Sequence, residues 1–120
     1  MTLEEQLPST VESVAAARRA VRGFAADLEV DLDGMALAVS EAVANVVVHG
    51  YEDGTTGVVE LSVTASPFEV AVVVRGRASH STGCGIEIIR RLAQHVALDD
   101  GAPGVALTMR FRRGGAWSAR

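Results

Sequence analysis

The segment from Ser40 to Tyr51 constrains the fold more than any other, because its polar and apolar residues separate only at helical spacing. Glu41, Asn45 and His49 recur every four residues and form one polar stripe. The opposite stripe would face a core and consists of Met35, Val39, Val43, Val46 and Val47. We predict a helix in spite of the three consecutive β-branched valines, because the segment's alanines favour helix.

The polar stripe suggests two interpretations. A carboxylate one turn before an amide suits phosphoryl transfer, since the Asn45 oxygen can hold a divalent cation and Glu41 can take a proton from a nucleophile. Helices also carry Glu and Asn on solvated faces, so this spacing alone leaves both interpretations open. For His49 we favour a locally packed or hydrogen-bonded residue at the helix end, and no histidine pair has metal-ligand spacing.

A second motif, Gly83-Cys84-Gly85, precedes an apolar pattern at helical spacing formed by Ile86, Ile89, Ala93 and Val96. Glycines at a helix start let backbone N–H groups approach an anion, which the helix dipole favours. A tight turn is the alternative and is the commoner meaning of a lone G-x-G. Cys84 is the only cysteine, so an internal disulfide is excluded, and we predict an ordinary turn residue there.

The remaining patterns predict one more helix and three strands. Ser9 to Glu12 matches a capping box that would begin the first helix, and Asp31 or Asp33 would cap the second. Asp99 to Gly104 is predicted to be a loop. Apolar and polar residues alternate at strand spacing in three segments, which are Val59–Val63, Val70–Val74 and Val105–Phe111.

This order of elements predicts an α/β fold, a two-layer sandwich whose mixed, mainly antiparallel sheet is covered on one face by helices. Leu3 to Leu7 is a candidate for an additional short strand, and Val70–Val74 is the predicted central strand because both of its faces are apolar. We expect a single domain over residues 1–113 and a flexible tail over residues 114–120.

The two motifs together resemble the GHKL (histidine-kinase-like) ATPase superfamily, and most closely the small bacterial anti-sigma factors that are also serine kinases. Glu41 and Asn45 resemble the family's N box, followed by the matching His49-Gly50-Tyr51 ending. The glycine motif through Ile86 resembles the box that opens the helix after the ATP lid. The resemblance extends to the first helix, with Ala17-Arg18-Arg19 and Phe24, and to the final strand from Gly104 to Phe111.

The resemblance implies an ATP-dependent protein serine/threonine kinase with ATP and Mg²⁺ as cofactors. Asn45 would hold Mg²⁺ bridged to the ATP phosphates, and Glu41 would be the general base acting on a serine of an anti-anti-sigma partner. A sigma factor would be the other partner, and a homodimer is an alternative that no residue specifies. The implied cofactor-binding positions are Asn45, His49, Gly76, Thr82, Gly83, Cys84, Gly85 and Ile86.

Two departures from the family pattern favour an alternative, a non-catalytic protein-binding module that has lost ATP binding. The family's D-x-G-x-G box has an Asp that contacts the adenine amino group, and here that Asp falls on Gly76 and the next Gly on Ala78. The lid, Arg77 to Thr82, is also short. Arg75 and Arg77 would either end a strand in solvent or bind a phosphate or carboxylate.

Net charge and hydropathy exclude other classes of function. The formal net charge of −4 argues against direct nucleic-acid binding, which favours a basic surface. No run approaches the ~18 apolar residues of a membrane span, and the acidic start of the chain has no hydrophobic signal core. We therefore expect a cytoplasmic protein without membrane contact.

Overall fold

The computed structural model describes residues 1–53, 57–76, 84–101 and 104–114. Side chains are described throughout these ranges except at residues 49–53, 84, 85, 100 and 101. Within the described ranges lie five strands and three helices, which in chain order are β1 (Thr2–Pro8), α1 (Glu12–Ala25), α2 (Leu32–Asp53), β2 (Val58–Ala65), β3 (Glu69–Gly76), α3 (Cys84–Leu92), β4 (His95–Gly101) and β5 (Gly104–Arg112).

The five strands form one sheet in the order β1-β2-β3-β5-β4, and every described pairing is antiparallel. The predicted two-layer α/β sandwich is confirmed, β3 is the central strand as expected, and β1 is the additional short strand. Alternate residues of β2, β3 and β5 are buried beneath the helices, as the period of two predicted; they are Val59, Leu61, Val63, Val70, Val72, Val74, Leu107, Met109 and Phe111. The other face of the sheet has no helix over it among the described residues.

Helix α2 is the centre of the helical layer, because it packs against α1, α3 and β3. Four residues of the predicted apolar stripe, Met35, Val39, Val43 and Val47, are buried, and the fifth, Val46, is partly buried. In the described residues, no helix combines the length and apolar character needed to span a bilayer.

Asp31 caps the start of α2, which confirms one of the two predicted candidates. The Gly34 N–H donates to Asp31 Oδ1 at 3.1 Å, and the Met35 N–H donates to the Asp31 carbonyl at 2.9 Å. Asp33 instead forms an exposed ion pair with Arg22, with 2.8 Å between Arg22 Nη2 and Asp33 Oδ1. The two aspartates therefore offer a matched pair for measuring the cap.

We expect Asp31→Ala to lower the free energy of unfolding by about 1 kcal/mol, since the Gly34 N–H loses its acceptor. Asp33→Ala is the control and should cost only a few tenths of a kcal/mol, because an exposed ion pair contributes little. Urea denaturation measures both. Equal losses would mean that negative charge near the helix start, and not the cap bond, stabilises α2.

The capping box predicted at Ser9 to Glu12 is wrong. Helix α1 begins at Glu12 after Val11, whose position carries no side-chain cap bond. The Ser9 N–H donates to the Gly57 carbonyl at 3.0 Å, so the backbone there continues the approach of β1 to β2. The Ser13 hydroxyl donates to the Pro8 carbonyl and fixes the turn between β1 and α1 instead.

The end of α3 also differs from the prediction. Val96 was predicted on the apolar face of the third helix and lies in β4, while Asp99 to Gly101, predicted as loop, are strand residues. The reason is a tertiary one, because β4 forms an antiparallel ladder with β5 in which His95 faces Arg110 and Leu98 faces Leu107. Pairing with a neighbouring strand overrides the local helical spacing.

Candidate functional site

Helix α2 carries the candidate site on its middle turns. The helix is continuous from Leu32 to Asp53, so the predicted spacing of Glu41, Asn45 and His49 is realised as one stripe of positions. The buried valines on the opposite stripe fix the rotation of the helix on the sheet. Because α1 and α3 pack on either side, the polar stripe is placed by the core and not by local preference.

The Asn45 side chain is an exception to normal hydrogen bonding. Its Nδ2 atom is buried, and in the described part of the chain it has no hydrogen-bond partner. Buried polar atoms are almost always paired, and an unpaired one costs about 1–3 kcal/mol. A turn of the amide exchanges its nitrogen and oxygen, so the same atom position can present an oxygen, the donor that Mg²⁺ prefers. The Asn45 amide therefore fits a cation or phosphate ligand better than a structural role.

Glu41 lies one turn before Asn45 and is half-buried. Neither a hydrogen bond nor an ion pair engages its carboxylate among the described residues. The preceding residue is firmly held, because the Ser40 hydroxyl donates to the Ala36 carbonyl at 2.9 Å and accepts from Arg18 Nη1 at 3.2 Å. This arrangement leaves an available carboxylate on a fixed turn, as a general base requires.

The solvent side of α2 around Glu41 is apolar. Leu37 lies one turn before Glu41 and is 48% exposed, and Val48, two turns after it, is 52% exposed. Single exposed apolar residues are common on protein surfaces, but here two of them border the one carboxylate of the predicted site. Sequence reasoning missed both residues, although their helical spacing from Glu41 was visible.

The second motif is only partly within the described residues. Cys84 and Gly85 are the first two residues of α3, so the predicted start of a helix at this motif is confirmed. The Ile86 side chain is partly buried and packs against the core, which gives it a packing role. His49 belongs to α2, but its side chain is not described, and Thr82 and Gly83 lie outside the described residues.

Gly76 is the last residue of β3 and is buried against α2. A Cβ atom at this position would lie 2.4 Å from Val46 Cγ1 and 3.0 Å from Val46 Cγ2. Such contacts are far inside van der Waals distance, so Val46 occupies the space that a side chain at position 76 would need. Val46 thus limits the space at the end of β3, a contact that the sequence pattern, which assigned this residue to the core, did not indicate.

The residues present fit one end of the implied ATP–magnesium ligand and not the other. The unpaired amide of Asn45 fits the metal and phosphate end. The end of β3, where the resemblance places the adenine-contacting carboxylate, has neither a carboxylate nor the room for one. The candidate site is therefore defined by the residues at its phosphate end.

A separate groove of about 510 Å³ lies on the uncovered face of the sheet and does not belong to this site. Three glutamates, Glu4, Glu5 and Glu60, line it together with Arg75, whose Nε lies 3.8 Å from Glu60 Oε1. The carboxylates disfavour a phosphate there. Arg75 is directed to this face, so it ends its strand on the far side of the sheet from α2.

Comparisons with known proteins find similarity to anti-sigma factors. The Anti-sigma F factor of Clostridium botulinum strain Eklund 17B is 35% identical over 89 residues, which is 72% of this chain and 59% of that protein. The Anti-sigma F factor of Anoxybacillus flavithermus is 34% identical over 92 residues, 74% of this chain and 60% of that protein. The chain thus spans about three fifths of the length of these relatives.

The fold is found in a solved structure as well. The RsbU and RsbW domains of Rv1364c from Mycobacterium tuberculosis match 94% of this chain and 32% of that chain, with a TM-score of 0.77 and 24% identity. The likeness shows the fold. The family model described as the Histidine kinase-like ATPase domain matches residues 7–111, which include every described element of the site. The chain therefore belongs to the histidine kinase-like ATPase domain family and is similar to anti-sigma factors.

Proposed function

We propose that this chain is a cytoplasmic anti-sigma-type regulator that phosphorylates a serine of an anti-anti-sigma partner with Mg²⁺ and ATP, and that sequesters a sigma factor. The observation that carries the proposal is that two polar groups lie one turn apart on α2 without partners among the described residues: the buried Asn45 Nδ2 atom and the Glu41 carboxylate. The similarity to proteins named Anti-sigma F factor supports the choice of partners.

Each residue of the pair has one role in this proposal. Asn45 would hold Mg²⁺ at the phosphates, and the bound ion would supply neutralisation of the phosphate charge. Glu41 would accept the proton of the serine hydroxyl as that oxygen forms a bond to the γ-phosphorus of ATP and ADP leaves. Gly83, Cys84 and Gly85 would present backbone N–H groups to the phosphates from the start of α3, where the helix dipole favours an anion.

The surroundings of Glu41 support a protein substrate. Leu37 and Val48 give the carboxylate an apolar border on the solvent side of α2. A folded partner that covers these two side chains would bring its serine to Glu41 and exclude water from it. A small substrate would leave both of them exposed.

A second candidate is a non-catalytic module that binds its partners through the same fold without ATP. The close contact between Gly76 and Val46 favours it, since it leaves no room for a carboxylate at the end of β3. The two candidates differ in a direct assay of transfer.

The deciding assay incubates the purified chain with a candidate anti-anti-sigma protein and ATP, with Mg²⁺ or with a chelator. Intact-mass measurement of the partner should show one added phosphoryl group that depends on Mg²⁺, and peptide mapping should place it on a serine. An unmodified partner that nevertheless co-purifies with the chain would reject the kinase and favour the binding module.

A further inference from the structure

The end of β3 and the middle of α2 are in close contact beside the candidate site. Val46 follows Asn45 directly on α2, and its two methyl groups fill the space in front of Gly76. Gly76 has no positive φ, so its backbone conformation does not itself require glycine. The contact with Val46 is the reason that a side chain is excluded at position 76.

The pair is rigid on both sides. A valine in a helix is held in one strongly preferred rotamer, so Val46 does not turn away easily. Gly76 is paired with Val105 of β5, which ties the end of β3 to the sheet. A side chain at position 76 would therefore displace α2 from the sheet, and the amide of Asn45 would move with it.

We propose that Val46 and Gly76 form a complementary pair that removes selection of the base from this site. The site would take the magnesium–triphosphate part of a nucleoside triphosphate through Asn45 and would not discriminate among bases. An enzyme selects a base by a hydrogen-bonding group directed at it. The resemblance places that group at position 76, where the two methyl groups of Val46 fill the space that a side chain would need. This inference rests on the proposed function, because it concerns the ligand of the same site.

The packing of the pair is tested first, without any ligand. Gly76→Ala should lower the melting temperature by about 5–10 °C, since the added methyl group meets Val46. Val46→Ala combined with Gly76→Ala should melt higher than Gly76→Ala alone. Gly23→Ala is the matched control and should not lower the melting temperature, because a Cβ there meets no atom within 4 Å. If the losses in melting temperature of the two single variants simply add in the double variant, the proposed complementarity of Val46 and Gly76 is wrong.

Ligand selection is tested next by titration of the wild-type chain with ATP, GTP and inorganic triphosphate, each with Mg²⁺. Dissociation constants of the three ligands that agree within about threefold support the proposal. A preference for ATP of about tenfold or more, the discrimination that one hydrogen bond to the base supplies, overturns it and leaves the proposed function standing. Absence of binding by all three ligands overturns the proposed function together with this inference.

A gain of selection gives the third test. Val46→Ala combined with Gly76→Asp provides both the space and an acceptor for an adenine amino group, so the double variant should prefer ATP over GTP by about tenfold. Val46→Ala alone should bind both nucleotides equally. A double variant that folds, binds and still shows no preference would contradict the assignment of base selection to this pair.

Discussion

Glu41→Gln is expected to abolish phosphoryl transfer to the partner serine while leaving Mg²⁺ and ATP bound. The substitution keeps the size and shape of the side chain but removes its negative charge and its ability to accept a proton. Loss of a general base lowers the rate by about 10²- to 10⁴-fold. Initial rates of partner phosphorylation and a parallel nucleotide titration measure the two quantities on the same preparation.

The control for this substitution is Glu12→Gln, at an exposed position in the first turn of α1. It makes the same change of charge outside the site and should leave the rate of transfer within about twofold of wild type, since exposed charges at a distance are screened. Transfer at the wild-type rate in Glu41→Gln would remove Glu41 from the chemistry. Loss of nucleotide binding in the same variant would give Glu41 a role in holding the ligand instead.

Asn45→Ala is expected to lose Mg²⁺-dependent ATP binding and to leave the ligand-free chain as stable as before or more stable. The Asn45 Nδ2 atom is buried without a hydrogen-bond partner in the part of the chain that the structure describes, so its removal relieves a cost, and alanine is the better helix former. The gain in the free energy of unfolding should not exceed about 1 kcal/mol because some packing is lost as well. Urea denaturation measures the stability, and the rise of the melting temperature with nucleotide measures the binding.

Ser40→Ala is the matched control, because Ser40 is also polar, buried and on α2, but its hydroxyl is fully engaged by Ala36 and Arg18. We expect the opposite pattern, with stability lowered by about 1 kcal/mol and nucleotide binding retained. An Asn45→Ala variant that is clearly destabilised would show that Asn45 serves the fold. Retained Mg²⁺-dependent binding in that variant would remove it from the ligand site.

The sequence was sufficient to predict α2 and the strands β2, β3 and β5, because each of them is fixed by burial on one face. In a strand, Val39, Glu41 and Val43 would all lie on the same face. Only the helical period places the two valines on the face opposite Glu41. Val72 and Met109 each belong to a short segment in which every second residue is apolar, as in a strand. In the structure the two residues pair with each other across β3 and β5. One-sided burial leaves a periodic signal that requires no knowledge of the partner.

Elements that depend on a distant partner were not predictable. His95 to Gly101 become a strand because β5 pairs with them, while Ala93 and Val96 have the spacing of a continuing helix. The Ser9 N–H donates to the Gly57 carbonyl, and α1 begins only at Glu12, so Ser9 lies too far before the helix to cap it. In both cases a backbone hydrogen bond to a distant segment overrides the local pattern.

For the candidate site, too, some features could be predicted from the sequence and others depend on the folded structure. The spacing of Glu41 and Asn45 was visible in the sequence, but the missing partner of the Asn45 amide is a property of the packed structure. The contact of Val46 with Gly76 joins two segments that are separated by β2, and nothing local in either segment indicates it. The positions of the site residues could be predicted, whereas their burial and their contacts could not.

Titration calorimetry of ATP into the wild-type chain, with Mg²⁺ and then with a chelator in its place, tests the central claim most directly. We expect saturable binding that requires Mg²⁺ and that Asn45→Ala abolishes. Absence of heat at millimolar ATP in the presence of Mg²⁺ would contradict it, and the chain would then act through protein contacts alone.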